Sequence, residues 1–143
     1  MLINSKKIER SFMPATNEVI YSDLNFKFTK NPVTKKLSVL KNADAVKQAL
    51  KILILTDRFE RPYRPFLGGD IRGKLFEHFG PIVQMEVKEQ IELAIQNYEP
   101  RVKILDVRVN ANDDRNSLEV TIEFFIRNQT GPEATTISLE RIR

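Results

Sequence analysis

The sequence predicts an α+β fold in which an N-terminal hairpin precedes three helices that pack on one face of an antiparallel C-terminal sheet. In the middle of the chain, apolar residues recur at three- and four-residue steps, which is the period of a helix with one buried stripe. Beyond Arg101, apolar and polar residues alternate, which is the period of a half-buried strand. Helices followed by a run of antiparallel strands are typical of α+β domains.

One folded domain is expected over residues 24–143, preceded by an extended arm over residues 1–23. A chain of 143 residues is long enough to bury one core and too short for two domains with a linker. Its hydrophobic content of 41% and charged content of 29% lie close to the averages for soluble globular proteins. The arm shows no sustained hydrophobic period and contains Pro14, so we expect it to lie against a partner.

The hairpin and the first helix follow the arm. Two alternating runs flank the turn Lys30-Asn31-Pro32, whose Asn and Pro favour a change of direction. Asn42 is a candidate N-cap for a helix that ends near Leu55. The apolar positions are Leu24, Phe26, Phe28, Leu37 and Val39 in the hairpin and Val46, Ala49, Leu50 and Leu53 in the helix.

A loop and two further helices are predicted next. Prolines and paired glycines break every hydrophobic period across residues 57–69. Asp70 is a candidate N-cap for a short second helix that ends at Gly80, and Pro81 suits the first turn of the third helix. The third helix is expected to end before Pro100, because proline disfavours helical geometry in the residue that precedes it.

Three antiparallel strands complete the predicted sheet. The first includes Val107 and Val109, the second runs over residues 118–126, and the third runs over residues 135–142. Clusters of Asn, Asp, Gly and Pro between these strands supply the turns. Phe125 stands on the otherwise polar face of its strand, so we expect either a partner or the N-terminal arm to cover it.

Composition and motifs exclude several kinds of site. The absence of cysteine and the single histidine, His78, exclude thiolate chemistry and disfavour a zinc site or a serine triad. No spacing of acidic residues singles out the carboxylate pair of a glycosidase, and Gly68-Gly69 lacks the pattern of a phosphate-binding loop. We therefore predict that the protein is not an enzyme and binds no metal, cofactor or small-molecule substrate.

Charge and hydropathy bear on membranes and nucleic acid. No apolar run approaches the ~20 residues of a bilayer span, so no membrane contact is expected. The net charge of +4 permits acidic partners, but basic residues are interspersed with acids along most of the chain, which is typical of a solvated surface. The alternative interpretation is a nucleic-acid-binding module at the basic loop of residues 58–66, where Arg58, Arg61 and Arg64 are interleaved with Tyr63.

Two segments occur in an order that is typical of one protein family. The first is Arg61-Pro62-Tyr63-Arg64-Pro65-Phe66-Leu67-Gly68-Gly69-Asp70-Ile71 followed by Leu75-Phe76-Glu77, and the second is Asn97-Tyr98-Glu99-Pro100-Arg101-Val102. In this order they resemble the baseplate wedge and sheath-initiator family of contractile phage tails, which has relatives in type VI secretion baseplates. The family's usual loop places its aromatic residue one position later than Phe66, so the packing of the loop is expected to differ.

The resemblance implies a structural subunit of the tail baseplate in the virion, assembled in the host cytoplasm. Glu99, Pro100 and Arg101 would contact the helical core bundle of the wedge, with Pro100 holding the corner rigid and Arg101 offering a planar fork of donors. The alternative is that Glu99 and Arg101 only satisfy backbone groups at the corner. The residues expected to anchor the loop are Arg61, Pro62, Arg64, Pro65 and Gly68.

The resemblance also implies that the C-terminal sheet initiates the tail sheath by β-strand augmentation. An open strand edge exposes unpaired amide and carbonyl groups that an incoming arm can complete. The sheath-facing residues would be Phe125, Thr135, Ile137 and Leu139. The implied partners are other baseplate wedge proteins and the tail sheath protein, with the tail-tube initiator as a further candidate. Relatives have been labelled lysozyme-like, so peptidoglycan hydrolysis is a third, less favoured interpretation.

Overall fold

The computed structural model describes residues 19–77, 80–112 and 117–140. Most of the expected arm, residues 1–18, therefore lies outside the described residues. The described ranges contain strands β1 (Ser22–Leu24), β2 (Val39–Lys41), β3 (Val102–Asn112), β4 (Ser117–Ile126) and β5 (Pro132–Glu140), α-helices α1 (Asn42–Leu55) and α2 (Pro81–Tyr98), and a 3₁₀ helix (Arg72–Phe76).

The prediction of three helices on one face of a single sheet was wrong. The described residues form two α-helices and two sheets, one made of β1 and β2 and the other of β3, β4 and β5 in that order. All paired strands are antiparallel, so the overall class is still α+β. The N-terminal sheet packs against α1, and the C-terminal sheet packs mainly against α2.

Within its described residues, the segment predicted as the second α-helix forms the short 3₁₀ helix instead. Asp70 has a φ of +51°, a left-handed conformation that cannot provide the extended backbone of an N-cap. Gly73 lies inside the segment, and glycine disfavours an α-helix by about 1 kcal/mol relative to alanine. The amide of Lys74 donates to the carbonyl of Ile71 at 3.0 Å, which is the three-residue step of a 3₁₀ helix.

Asn42 begins α1 but does not cap it as predicted. Its φ is +47°, and the N-cap position is Lys41, which makes no side-chain capping bond. The side-chain oxygen of Asn42 accepts the amides of Ile20 at 2.9 Å and Tyr21 at 3.3 Å. Asn42 therefore joins the chain before β1 to the start of the helix.

The third predicted helix is present as α2, with the predicted ends. Pro81 occupies its first turn, where the missing amide removes no helical hydrogen bond. At the other end, the amide of Glu99 donates to the carbonyl of Ile95 at 2.9 Å, and Pro100 stops further helical bonding. Neither α-helix of the described ranges is long and apolar enough to cross a membrane.

One hydrophobic core lies between the C-terminal sheet and the two α-helices. Every second residue of β4 is buried, as the alternating pattern predicted. In β3 the register shifts between Ile104 and Asp106, which leaves Leu105 as the extra residue of a bulge. Fully buried members of the core are Val46, Leu50, Ile71, Val87, Ile91 and Ile95 from the helical half and Leu118, Val120, Ile122, Phe124 and Ile137 from the sheet.

Candidate docking surfaces

The corner between α2 and β3 is closed by a tight turn. The amide of Val102 donates to the carbonyl of Glu99 at 3.2 Å, and Pro100 takes the following position, whose φ its ring fixes. The amide of Arg127 donates to the carbonyl of Arg101 at 2.9 Å, which ties the turn to the end of β4. The backbone of the predicted wedge anchor is therefore held from both sides.

Glu99 and Arg101 form a two-bond ion pair inside this corner. Nε and Nη2 of Arg101 donate to the two carboxylate oxygens of Glu99, each at 2.6 Å. The Glu99 side chain is 8% exposed and that of Arg101 is 35% exposed, so loss of the guanidinium would leave a buried carboxylate without its partner. The hydrogen bond to Glu99 raises the pKa of Arg101 above its usual value, so Arg101 stays charged.

Tyr21 is a further member of the corner that sequence reasoning missed. The guanidinium carbon of Arg101 lies 5.4 Å from the centre of the Tyr21 ring, which is a cation–π distance. The Tyr21 hydroxyl donates to the carbonyl of Arg127 at 3.4 Å. Tyr21 falls in the segment without hydrophobic period, so no sequence signal links it to the corner.

The loop that follows α1 is folded into successive turns. The amide of Arg64 donates to the carbonyl of Arg61, and the amide of Leu67 donates to the carbonyl of Arg64, both at 3.1 Å. The amide of Phe59 donates to the carbonyl of Pro65 at 2.6 Å. The loop is irregular, yet its own backbone hydrogen bonds hold it in one shape.

Gly68 places this loop on the end of α1. Its φ is +133°, and a Cβ added there would stand 2.2 Å from the carbonyl oxygen of Thr56. The amide of Gly69 donates to that same carbonyl at 3.2 Å. Only glycine allows the two backbone segments to approach so closely.

The other predicted loop anchors lie at the surface. The structure exposes Arg61, Pro62 and Arg64 and half-buries Pro65. The Tyr98 hydroxyl donates to the carbonyl of Phe66 at 2.8 Å, which joins the loop to the end of α2. The loop side chains are thus available to a partner while the loop backbone is fixed.

A groove of about 440 Å³ brings the loop and the corner together. It lies between the hairpin, α1, the loop and the end of α2, and both Arg61 and Glu99 line it. Phe26 and Phe28 form part of its apolar wall; each is 64% exposed, and their rings lie 6.0 Å apart. We call it the anchor groove, and its other apolar lining residues are Leu24, Ala49, Ile52, Leu53 and Leu67.

The predicted sheath-facing residues lie on β4 and on the edge strand β5. Ile137 and Leu139 point into the core, at 0% and 4% exposure, so only their backbone groups can meet a partner. Thr135 is half-buried. Phe125 is 38% exposed on the opposite face of the sheet and pairs in register with Pro132.

Among the described carboxyl groups, Asp57 has an altered environment of the kind found in active sites. Burial is the main cause that raises its pKa; Glu60 and Asp70 add to the rise, and Arg72 opposes it from 3.7 Å. Within the described ranges, no group of three or more His, Cys, Asp or Glu residues is placed to hold a metal ion. Catalytic acids have raised pKa values, so Asp57 is the residue on which a test for hydrolysis should centre.

Solved structures of three proteins share this fold. The putative tail lysozyme from Geobacter sulfurreducens is 21% identical with a TM-score of 0.66, covering 74% of this chain and 97% of that one. A chain of the anti-feeding prophage baseplate is 21% identical with a TM-score of 0.59, covering 82% and 83%. A chain of the postcontracted pyocin R2 baseplate is 19% identical with a TM-score of 0.55, covering 70% and 98%. At these identities the likeness shows the fold alone.

Sequence comparison identifies the family. The family model described as baseplate wedge protein gp25 matches residues 41–130. The baseplate wedge protein gp25 of Enterobacteria phage T4 is 34% identical over 107 residues, which are 75% of this chain and 80% of that protein. The resemblance predicted from the sequence is confirmed: this chain belongs to the family of baseplate wedge protein gp25, structural components of contractile-tail baseplates.

Proposed function

We propose that this chain is a non-enzymatic wedge subunit that docks on the helical core bundle of the wedge through the anchor groove and the corner of Glu99, Pro100 and Arg101. The observation that carries the proposal is that Arg61 and Glu99 line one groove. These residues come from the two segments on which the family resemblance rests. Membership of the wedge family supports the wedge as the setting.

The corner suits docking because its groups are ordered before a partner arrives. The turn, the ion pair with Glu99 and the contact with Tyr21 restrict the Arg101 side chain, so binding loses little conformational entropy. Within the described ranges, Nη1 of Arg101 takes part in no hydrogen bond or ion pair. It can donate to a carbonyl or carboxylate of the partner while Nε and Nη2 stay on Glu99.

The anchor groove suits an apolar helix face. Its wall combines exposed phenyl rings of Phe26 and Phe28 with Leu24 and Ile52. An amphipathic helix binds such a groove by burying side chains at three- and four-residue steps. Arg61, at the rim, supplies a charged group that can fix the orientation of the helix.

Affinity purification of the tagged chain from cells that make the native assembly tests the docking proposal. Arg101→Lys keeps a positive charge beside Glu99 but removes the planar fork, so we expect recovery of wedge proteins to fall about tenfold. Arg108→Ala is the matched control. Arg108 also pairs with two carboxylates, of Asp106 and Glu123, each at 3.0 Å, but it lies on β3 away from the corner, and recovery should not change.

Thermal unfolding of the purified variants separates a loss of docking from a loss of folding. Arg101→Lys should unfold close to the wild-type temperature, because Glu99 keeps a cation beside it. If that folded variant recovers wedge proteins as the wild type does, the corner is not the anchor. Arg101→Ala is the less selective change, since the unpaired, buried Glu99 carboxylate would itself cost about 3–5 kcal/mol of stability.

We propose in addition that the C-terminal sheet starts the tail sheath. Support comes from its antiparallel pairing and from the edge of β5, which no other strand of the described ranges pairs, since unpaired backbone groups on an edge accept an incoming strand. We expect the sheath protein to co-purify with the tagged wild-type chain. Recovery of wedge proteins without the sheath protein would contradict this proposal and leave the docking proposal intact.

The alternative function is nucleic-acid binding by residues 58–66, and the exposure of the basic and aromatic side chains of this loop favours it. The Tyr63 side chain is 99% exposed, and Arg58, Arg61 and Arg64 are exposed on the same loop, which suits base stacking beside phosphate contacts. The logarithm of such an affinity falls by about 0.9 per neutralised phosphate for each tenfold rise in salt. Oligonucleotide binding with this salt dependence would favour the alternative, and no binding at physiological salt would remove it.

Peptidoglycan hydrolysis has a direct test. The structure described as a putative tail lysozyme shares the fold at 21% identity, which carries no activity to this chain. A glycosidase needs one carboxyl group with a raised pKa and a second across the sugar, and Asp57 is the group to change. We expect no release of soluble peptidoglycan by the purified protein. Activity that Asp57→Asn abolishes would overturn the non-enzymatic proposal.

A further inference from the structure

The basic charge of the chain is concentrated in the hairpin of β1 and β2. Residues 24–43 contain five lysines and no acidic residue, whereas the whole chain has a net charge of +4, so the remainder is slightly acidic. All five lysines are exposed, and none forms an ion pair with a carboxylate of the described ranges. They are Lys27, Lys30, Lys35, Lys36 and Lys41. The hairpin therefore presents a positive surface that could attract acidic groups.

The far end of the hairpin is a closed turn, which we define as the hairpin tip, residues 30–37. Lys30 and Leu37 form an antiparallel bridge at its base. The side-chain oxygen of Asn31 accepts the amide of Val33 at 2.9 Å, which is the bond of an Asx turn. The amide of Asn31 donates to the carbonyl of Lys36 at 2.8 Å. These bonds hold the backbone of the tip in one conformation.

A side chain of α1 fixes the hairpin to the rest of the fold. β1 and β2 are only three residues long, and an isolated two-stranded hairpin is marginally stable in water. Nε2 of Gln48 donates to the carbonyl of Leu24, and Oε1 of Gln48 accepts the amide of Phe26, both at 2.8 Å. The tip is therefore carried on a hairpin that α1 holds in place.

Val33 stands exposed at the tip. Its side chain is 86% exposed, more than any other large aliphatic side chain of the described ranges. A single exposed apolar residue is ordinary, but here the fixed backbone limits the conformational entropy that binding would cost. Three of the unpaired lysines lie within three residues of Val33 in the chain, namely Lys30, Lys35 and Lys36. The tip thus combines an apolar side chain with a positive rim.

The composition of the tip favours a protein over nucleic acid or a lipid surface. Residues 30–37 contain no aromatic residue and no arginine. Single-stranded nucleic acid is bound by aromatic stacking and arginine contacts, and lysine contacts to phosphates alone would leave Val33 in water. Membrane interfaces are occupied by Trp and Tyr side chains. Carboxylates around an apolar depression of a protein would match both the lysines and the valine.

We propose that the hairpin tip docks on an acidic surface of a neighbouring protein, where Val33 enters an apolar depression that carboxylates surround. The tip takes no part in lining the anchor groove, so this contact goes beyond the docking and sheath roles proposed above. The lysines speed the encounter and fix the orientation of the two surfaces. Burial of the Val33 side chain adds an apolar contact at the centre.

Photo-crosslinking of the full chain in cells that make the native assembly tests the proposal. Val33→p-benzoylphenylalanine places the reactive group at the tip, and mass spectrometry identifies the cross-linked segment. We expect a protein segment with more acidic than basic residues and with apolar residues among them. Adding Lys30→Glu and Lys36→Glu together should lower the yield of this cross-link about tenfold.

Lys51→Glu and Lys103→Glu together are the matched control. These two lysines are also exposed and form no ion pair within the described ranges, so the net charge changes equally and folding should be unaffected. The cross-link yield should then stay unchanged. Equal losses in both double variants would overturn the proposal, as would cross-links to nucleic acid, to lipid, to a segment without excess acid, or to nothing.

Discussion

At the scale of single residues, two aspartates experience opposite environments. Burial raises the pKa of Asp57, so the folded protein holds that proton more tightly than the unfolded chain does. Ionisation of Asp57 therefore lowers stability as pH rises from the ordinary value through the raised one. Hydrogen bonds from Arg108 and then Lys88 lower the pKa of Asp106, so its ionised form adds stability that is lost as pH falls through the lowered value.

Asp57→Asn should raise the thermal midpoint at about pH 7 and leave it close to the wild-type value at about pH 3, where the carboxyl is protonated in both states. Replacing the Asp57 carboxyl group with an amide removes a negative charge that is partly desolvated in the folded protein. The ion pair lost with Arg72 contributes little, because Arg72 is 58% exposed. Differential scanning calorimetry of both proteins at the two pH values measures the effect.

Asp106→Asn is the control of opposite sign. It should lower the midpoint at about pH 7, with the difference shrinking as pH falls through the lowered pKa of Asp106. A decrease of the midpoint at neutral pH in both variants would mean that the pair with Arg72 outweighs the burial of Asp57.

At the scale of elements, Gly68 lets the loop of residues 57–69 lie close against the end of α1. Gly68→Ala should lower the free energy of unfolding by about 2–6 kcal/mol, since a left-handed residue with a side chain and a displaced neighbour each cost about 1–3 kcal/mol. Urea denaturation measures the change. The displaced neighbour is the carbonyl oxygen of Thr56, 2.2 Å from the added Cβ.

Gly73→Ala is the matched control, because a Cβ there meets nothing within 4 Å. Its free energy of unfolding should stay within about 1 kcal/mol of the wild-type value, and any change should be a gain, since alanine suits a helix better than glycine. Equal losses in both variants would show that the approach of Gly68 to Thr56 does not limit stability.

The elements that sequence reasoning predicted well are those whose signal is local and repeated. The stripe between Pro81 and Pro100 became α2, and the alternation of residues 118–126 became β4. The candidate N-caps Asn42 and Asp70 failed, because both adopt left-handed backbone conformations. For Asn42 the reason lies in the tertiary structure, because its side chain accepts hydrogen bonds from residues that are far from it in sequence. No local sequence pattern predicts such a bond.

The candidate docking surfaces were predictable in part. The motifs named Arg61 and Glu99, but only the fold places them in one groove. The sequence could not show whether Arg101 bonds only within the corner or is also available to a partner. The answer depends on which nitrogen donors of Arg101 are already bonded to Glu99. No sequence pattern pointed to Tyr21, because a cation–π contact between segments that are far apart in the chain has no characteristic residue spacing.

At the scale of the whole molecule, the two faces of the C-terminal sheet differ in burial and polarity. One face closes the core under α1 and α2, and the other is polar, with ion pairs between Arg108 and its neighbours and a hydrogen-bond contact between the hydroxyls of Thr121 and Thr136 at 3.3 Å. Adjacent residues of β4 therefore lie in different surroundings, one in the core and the next at the surface. Phe124 is fully buried, and Phe125 is 38% exposed.

This division predicts different results for two neighbouring substitutions. Phe124→Ala should lower the free energy of unfolding by about 3–5 kcal/mol through the cavity it leaves, and recovery of both wedge and sheath proteins should fall with the folded fraction. Phe125→Ala should change the free energy of unfolding by less than about 1.5 kcal/mol and keep wedge recovery, but reduce recovery of the sheath protein, because its exposed ring is a proposed sheath contact. Urea denaturation and affinity purification of both variants measure the two effects. Normal sheath recovery with a folded Phe125→Ala protein would exclude this ring from the sheath contact and restrict sheath initiation to the backbone edge of β5.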